Sequence, residues 1–294
     1  MINKESRLYS ILCSFFVFQV EWFTRRNYQY VMNRILCLYP LIACFLSIQF
    51  NIQAKDSLIG TYKTQSLKTE NKKPFYYRTS SPDKMDSGKK YPLLVFFHGA
   101  GGRGEDNQGQ LVDAGGIEAF EKQKVRSKRK SHIFAGQVPK GERWVNTGWN
   151  LLGHSMPKIS DSMEMALAAV DSYIQNPQNQ VDPKRVYAMG LSMGGYGTWD
   201  AIQRRPNFFA AAVPICGGGD KKLAKKIAHL PIWAWHGDKD TVIKPIRSRD
   251  MIQAIQKAGG SPKYSEIKDR GHNSWVDVWN SDELWDWLYS QSRK

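Results

Sequence analysis

From residue 91 onward the chain alternates short apolar runs with longer segments whose apolar residues recur at helical spacing. Y-P-L-L-V-F-F-H-G at 91–99 is a continuous apolar run bounded by proline and glycine. That pattern suits a strand buried on both faces of a parallel sheet. Further strands are predicted at 132–135, 185–189, 208–215, 232–235 and 264–267. Helices are predicted from residue 116, over 161–175 and 195–205, as a basic segment at 221–229, over 246–258, and as one tryptophan-rich element at 275–289. Residues 55–90, with strand-like Phe75–Arg78 and the turn S-P-D, read as an entering β-hairpin. Strands alternating with helices predict an α/β fold with a mostly parallel central sheet flanked by helices.

The most informative junction is V-Y-A-M-G-L-S-M-G-G-Y-G-T at 186–198. It places G-x-S-x-G between a strand and a helix, the context in which a sharp turn lifts one serine hydroxyl clear of the sheet edge. Ser192 is the candidate nucleophile. Gly190 and Gly194 have a mechanical reason, because side chains there would collide where strand and helix pack around the turn. Such a nucleophile needs an acid and a histidine downstream. P-I-W-A-W-H-G-D-K-D at 231–240 runs an apolar strand into a turn carrying Asp238 and Asp240, and D-R-G-H-N-S-W puts His272 on a later loop. The order Ser, Asp, His across successive strand ends is that of the α/β-hydrolases.

The loop H-G-A-G-G-R-G-E-D after the first apolar strand lacks the spacing and lysine of a phosphate-binding loop and does not match G-x-G-x-x-G. It reads as half of an oxyanion hole, with donors at the Ala100 and Met193 N–H groups and Gly101 as the alternative to Ala100. His98 precedes the serine and reads as a structural histidine fixing this loop. Trp144 and Trp149, in a loop expected at the carboxyl edge of the sheet, and Trp275 beside His272 are candidates for lining a substrate cleft.

H-G-A-G-G-R-G-E-D, G-L-S-M-G-G-Y-G-T-W-D, P-I-C-G-G-G-D, W-H-G-D-K-D-T-V-I and G-H-N-S-W together resemble a known family. It comprises the secreted α/β-hydrolases described as predicted peptidases, phospholipase/carboxylesterases or polyhydroxybutyrate-depolymerase-like esterases, close to the feruloyl and acetylxylan esterases. The resemblance covers about 70–290. It implies an α/β-hydrolase fold and identifies the acid with Asp240, not Asp238. A basic insertion before Ser131 departs from the family pattern. The implied chemistry is carboxylic ester hydrolysis through an acyl-enzyme, with His272 as base, and it requires neither metal nor organic cofactor. Two other functions stay open: a serine peptidase of the prolyl-oligopeptidase type, and a non-catalytic binding protein on the same scaffold.

The front of the chain is different in kind. Residues 8–20 and 35–50 are apolar runs, each shorter than the roughly 20 residues a spanning helix needs. Met32, Asn33 and Arg34 followed by an apolar stretch and N-I-Q-A predict a signal peptide at 32–54 cleaved near Ala54, with 1–31 an over-extended start and 55–294 the hydrolase domain. Alternatives are a lipid on Cys44 within L-I-A-C, or an uncleaved anchor, which the run's length and Pro40 disfavour. A secreted or periplasmic enzyme follows, touching membrane only through this leader.

Three of the four cysteines, Cys13, Cys37 and Cys44, lie in that leader. A chain starting near Lys55 keeps only Cys216 and has no internal disulfide. The formal charge is +15; residues 1–54 hold five basic and two acidic residues, leaving +12. Six of the basic residues crowd 122–130 (Lys122, Lys124, Arg126, Lys128, Arg129, Lys130). With no aromatic interleaving this reads as a solvated loop rather than a nucleic-acid surface, with an acidic polymer as the alternative partner.

Overall fold

The computed structural model describes residues 57–70, 72–122 and 127–294. The leader readings, including Met32, Ala54 and Cys44, lie outside these residues, as do positions 123–126 of the basic segment.

Eight strands form one sheet: β1 (Lys63–Thr69), β2 (Lys72–Ser80), β3 (Tyr91–Phe97), β4 (His132–Gly136), β5 (Val181–Leu191), β6 (Ala211–Ile215), β7 (Trp233–Gly237) and β8 (Lys263–Ile267). Their order across the sheet is β1-β2-β4-β3-β5-β6-β7-β8. The β1–β2 hairpin is antiparallel and β2 joins β4 antiparallel, whereas β4 through β8 run parallel. The apolar run at the centre behaves as its composition requires: every residue of β3 is buried. Leu93, Val95 and Phe97 enter the core on one face and Leu94 and Phe96 the core on the other, the period-2 alternation of a strand covered twice.

The first core takes in residues of the helices Asp161–Gln175, Met193–Arg204 and Ile246–Lys257; the second takes in residues of Gly116–Glu121, Trp275–Trp279 and Asp282–Ser290. Among the described residues no helix is long and apolar enough to cross a membrane.

Several boundaries differ from the sequence expectation. β5 begins at Val181 because Val181 pairs with Tyr91 across an irregularity in the register. β6 begins only at Ala211: Phe208 and Phe209 pack edge to face, with centroids 4.9 Å apart, in the approach to the strand. The expected basic helix at 221–229 is a 3₁₀ segment, Lys221–Ile227. The expected terminal helix at 275–289 is two helices, because Ser281 turns extended and its Oγ accepts the Leu284 N–H at 3.2 Å, starting a new helix at Asp282. The helix from Gly116 stops at Glu121. Part of the basic segment is docked rather than free: Arg129 pairs with Asp286, and Ser131 Oγ meets the Tyr289 hydroxyl at 2.9 Å.

Candidate active site

Ser192 sits between β5 and the helix Met193–Arg204 with φ 54° and ψ −117°. A non-glycine residue there is strained by about 1–3 kcal/mol, so the surroundings must hold it. They do so by close backbone approach. A Cβ on Gly194 would lie 1.9 Å from the Phe97 carbonyl oxygen, and one on Gly190 would lie 2.5 Å from the Gly194 oxygen. The Ser192 N–H donates to Ile215 O at 3.0 Å, and Ser192 O accepts the first helical bond from Tyr196 N–H at 3.1 Å. The N–H groups of Met193, Gly194 and Gly195 thus form the electropositive first turn of a helix.

Ser192, Asp240 and His272, separated by up to 80 positions in the chain, form one hydrogen-bonded line. His272 Nε2 lies 2.8 Å from Ser192 Oγ and His272 Nδ1 lies 2.7 Å from Asp240 Oδ2. An ionised carboxylate accepts only, so Nδ1 carries the ring proton and Nε2 is left to accept from the serine hydroxyl. Ser192 is 8% exposed and Asp240 2%. Burial alone would raise the Asp240 carboxyl. Hydrogen bonds from His236, His272 and the Ile243 N–H outweigh it and hold the group well below the usual carboxylate range. Asp240 Oδ1 accepts the Val242 and Ile243 N–H groups at 2.8 and 2.9 Å. Asp238 takes no part in this line; it is half-buried, and its N–H donates to Ile267 O at 3.1 Å.

His236 was not singled out from the sequence. It is fully buried, with Nε2 facing two acceptors, Asp240 Oδ2 at 3.2 Å and Ile243 O at 2.8 Å, so Nε2 carries a proton. Its Nδ1 meets Ser248 Oγ at 2.8 Å, and that hydroxyl reaches Gly217 O at 3.0 Å. The motif W-H-G-D-K-D displays the residue, but only the turn after β7 brings its ring onto the second aspartate.

The loop after β3 is held by two side chains. His98 is buried, accepts the Val138 N–H at Nε2 (3.0 Å) and donates from Nδ1 to Gly99 O (2.5 Å). Burial lowers its pKa to about 4, so the ring is neutral, a structural histidine as its place in the sequence suggested. Asp113, also not anticipated, accepts the Gly99 N–H at 2.6 Å. Gly99 N–H is therefore engaged, and Ala100 opens the following 3₁₀ turn, Ala100–Gly102. Ala100 is half-buried and Gly101 exposed. Gly194 lies against the backbone of Phe97 and His98, which brings this loop beside Met193.

The three tryptophans separate. Trp144 is 1% exposed, donates from Nε1 to His98 O at 3.0 Å and packs on Phe97, so burial makes it part of the core rather than a cleft wall. Trp149 is half-buried, with the Arg103 and Arg143 guanidinium groups 5.3 and 4.9 Å from its ring. Trp275 stands edge to face on His272 at 5.4 Å.

Cys216, Asp240 and His272 offer ligand-type atoms within 4.8 Å of one another. They do not fit a cation: burial pushes the Cys216 thiol up, and both His272 nitrogens are committed to Asp240 and Ser192.

Residues 134–235, from β4 to the middle of β7, match the model of the prolyl oligopeptidase family. A poly(3-hydroxybutyrate) depolymerase of Ralstonia pickettii is 24% identical over 197 residues, covering 67% of this chain and 38% of that protein. A bifunctional acetylxylan esterase/xylanase of Neocallimastix patriciarum is 25% identical over 142 residues, covering 47% of this chain and 19% of that one. The crystal structure of a thermostable esterase superposes with a TM-score of 0.74 at 30% identity, covering 80% of this chain and 64% of that chain. The chain thus spans well under half the length of these curated relatives. The sheet and these likenesses agree on the α/β-hydrolase fold.

Proposed function

We propose that this esterase-like α/β-hydrolase cleaves carboxylic esters through an acyl-enzyme formed on Ser192. The observation that carries the reading is the continuous Ser192–His272–Asp240 hydrogen-bond line. His272 takes the serine proton during attack, and Asp240 keeps the imidazole in the required tautomer and stabilises the imidazolium that forms. The oxyanion of the tetrahedral intermediate is met by the Met193 N–H at the helix start and the Ala100 N–H of the glycine loop, with Gly101 as the alternative donor. Losing one such donor typically costs about 10² to 10³ in rate. His272 then returns its proton to the leaving alcohol, and water resolves the acyl-enzyme by the same route. Ser192, His272 and Asp240, the two backbone N–H donors and water supply every group this route uses, and it calls for no cofactor.

A polymeric ester substrate is part of the proposal. Leu151, Leu152, Val242 and Val276 are exposed large apolar residues; the first three lie on loops and Val276 in the short helix Trp275–Trp279, within four positions of Trp149, Asp240 or His272 in the chain. An apolar rim around a narrow serine suits contact with a polyester or an ester-decorated polysaccharide. The depolymerase and acetylxylan esterase likenesses support that class. The leader sequence supports export.

The prolyl oligopeptidase match favours a second reading, a serine peptidase using the same three residues. Initial rates on methyl ferulate, acetylated xylan, a 3-hydroxybutyrate trimer and a peptide p-nitroanilide separate the two. The account expects turnover of at least one ester at a kcat/KM well above that of the anilide. A faster anilide would transfer the proposal to the peptidase, and no turnover of any would leave the binding-protein reading.

A further inference from the structure

A cavity of about 290 Å³ is lined by residues that include His154, Asp220, Arg247 and Asp250, and by none of Ser192, Asp240 or His272. Arg247 is 3% exposed, yet among the described residues no carboxylate pairs with it. The two aspartates at the cavity are already engaged. Asp220 accepts the Met156 and Lys222 N–H groups at 2.9 and 3.0 Å, and Asp250 pairs with Lys221 at 2.8 Å. The contacts Arg247 does make carry no negative charge. One Nη2 donates to His154 Nδ1, and the guanidinium lies 5.3 Å over the Tyr196 ring. Burial and the neighbouring Arg247 lower His154 to about 4, so it is neutral.

Two further observations point the same way. The Arg247 Nε is buried without a hydrogen-bond partner, and the buried Tyr196 hydroxyl has only the Arg247 guanidinium beside it. An arginine only donates, so its Nε calls for an acceptor, and the Tyr196 hydroxyl has a proton to give to the same group. Arg247 also stands in the first turn of the helix Ile246–Lys257, which has no acidic residue there, so the helix end adds to the positive potential instead of cancelling it. A buried, uncompensated guanidinium is costly to the fold unless an anion completes it.

We propose that the cavity at Arg247, whose guanidinium rests on the Tyr196 ring, is a subsite for a carboxylate borne by the ester substrate. The planar guanidinium fork matches a carboxylate in geometry and charge. Tyr196 links the subsite to the chemistry: it is four residues after Ser192 on the same helix, about 6 Å along the axis. The cavity is at the small end of ligand sites, the size for one acidic group and not for a whole polymer segment. The subsite rests on the ester-hydrolase proposal for its role, but not for its ability to bind.

Two matched pairs locate the carboxylate: monoethyl glutarate against ethyl pentanoate for the acyl side, and 4-acetoxybenzoate against phenyl acetate for the alcohol side. The wild type is expected to favour the charged member of one pair. Arg247→Gln should lower that pair's charged-to-neutral ratio of kcat/KM about 10- to 100-fold, with Arg247→Lys intermediate. Tyr196→Phe, which keeps the ring, should lower it less. Calorimetric titration of the full chain with glutarate tests the site independently of turnover, and binding weakened by Arg247→Gln is expected. If no ester is turned over but glutarate binds, the ester-hydrolase proposal fails and the anion site stands. No preference in either pair together with no glutarate binding would overturn the subsite, as would an equal loss on charged and neutral esters in Arg247→Gln.

Discussion

His272 Nδ1 meets Asp240 Oδ2 at 2.7 Å, whereas Asp238, two residues earlier in the same turn, makes no contact with the imidazole. Both aspartates follow the same strand, and only the turn geometry chooses between them. Asp240→Asn removes the acceptor that fixes the tautomer and should lower kcat by about 10³- to 10⁴-fold. Asp238→Asn should cost less than about tenfold. Equal losses at the two positions would show that the acid has been misassigned.

His236 acts on Asp240 through a 3.2 Å contact to the same Oδ2 that His272 meets. His236→Ala deletes one donor to a buried carboxylate, an interaction worth about 1.5–3 kcal/mol, and should lower kcat roughly 10- to 100-fold. Because the residue touches no substrate, KM should change little. A rise in KM with kcat intact would instead mean a distorted cleft.

Gly194→Ala tests the backbone contact that positions the serine. The added Cβ would meet the Phe97 carbonyl oxygen at 1.9 Å, and that oxygen belongs to the central strand and cannot step aside. A loss of about 3 kcal/mol or more in urea unfolding is expected, at the upper end of overpacking costs. A stable, active Gly194→Ala protein would contradict the close approach.

His98 makes stability depend on pH. Folded, it titrates at about 4; unfolded, at its ordinary 6.5. Between these values the unfolded chain binds the extra proton, so stability falls as pH falls. The contribution is fully present above 6.5 and exhausted near 4, a change of about 3 kcal/mol for this buried ring. His154, lowered to about 4, adds in the same direction. The share from Asp240, held low in the fold, is lost only at more acid pH. Urea midpoints at pH 7 and 4.5 should therefore differ clearly, and less so in His98→Asn. Identical pH dependence in the two proteins would remove His98 as the cause.

The buried strands and the nucleophile turn were legible because they rest on local rules. Continuous apolar runs mark doubly covered strands, and glycines flank a serine where backbones nearly touch. Chain order pointed to His272, and the family resemblance chose Asp240. What could not be read were side-chain directions set by tertiary packing. Nothing in the sequence says that Trp144 turns inward under Gly197, that Asp113 reaches back to Gly99, or that His236 faces Asp240. The split of the last helical segment was visible in principle, since S-D-E is a helix-start signal, but the run of tryptophans masked it.

The central claim is that His272 and Asp240 activate Ser192. Its most direct test is labelling of the folded protein with a fluorophosphonate, read by intact mass and peptide mapping. The account predicts a single adduct on the peptide containing Ser192, lost in Ser192→Ala and strongly slowed in His272→Ala. An adduct on another serine, or ester turnover that survives Ser192→Ala, would contradict it.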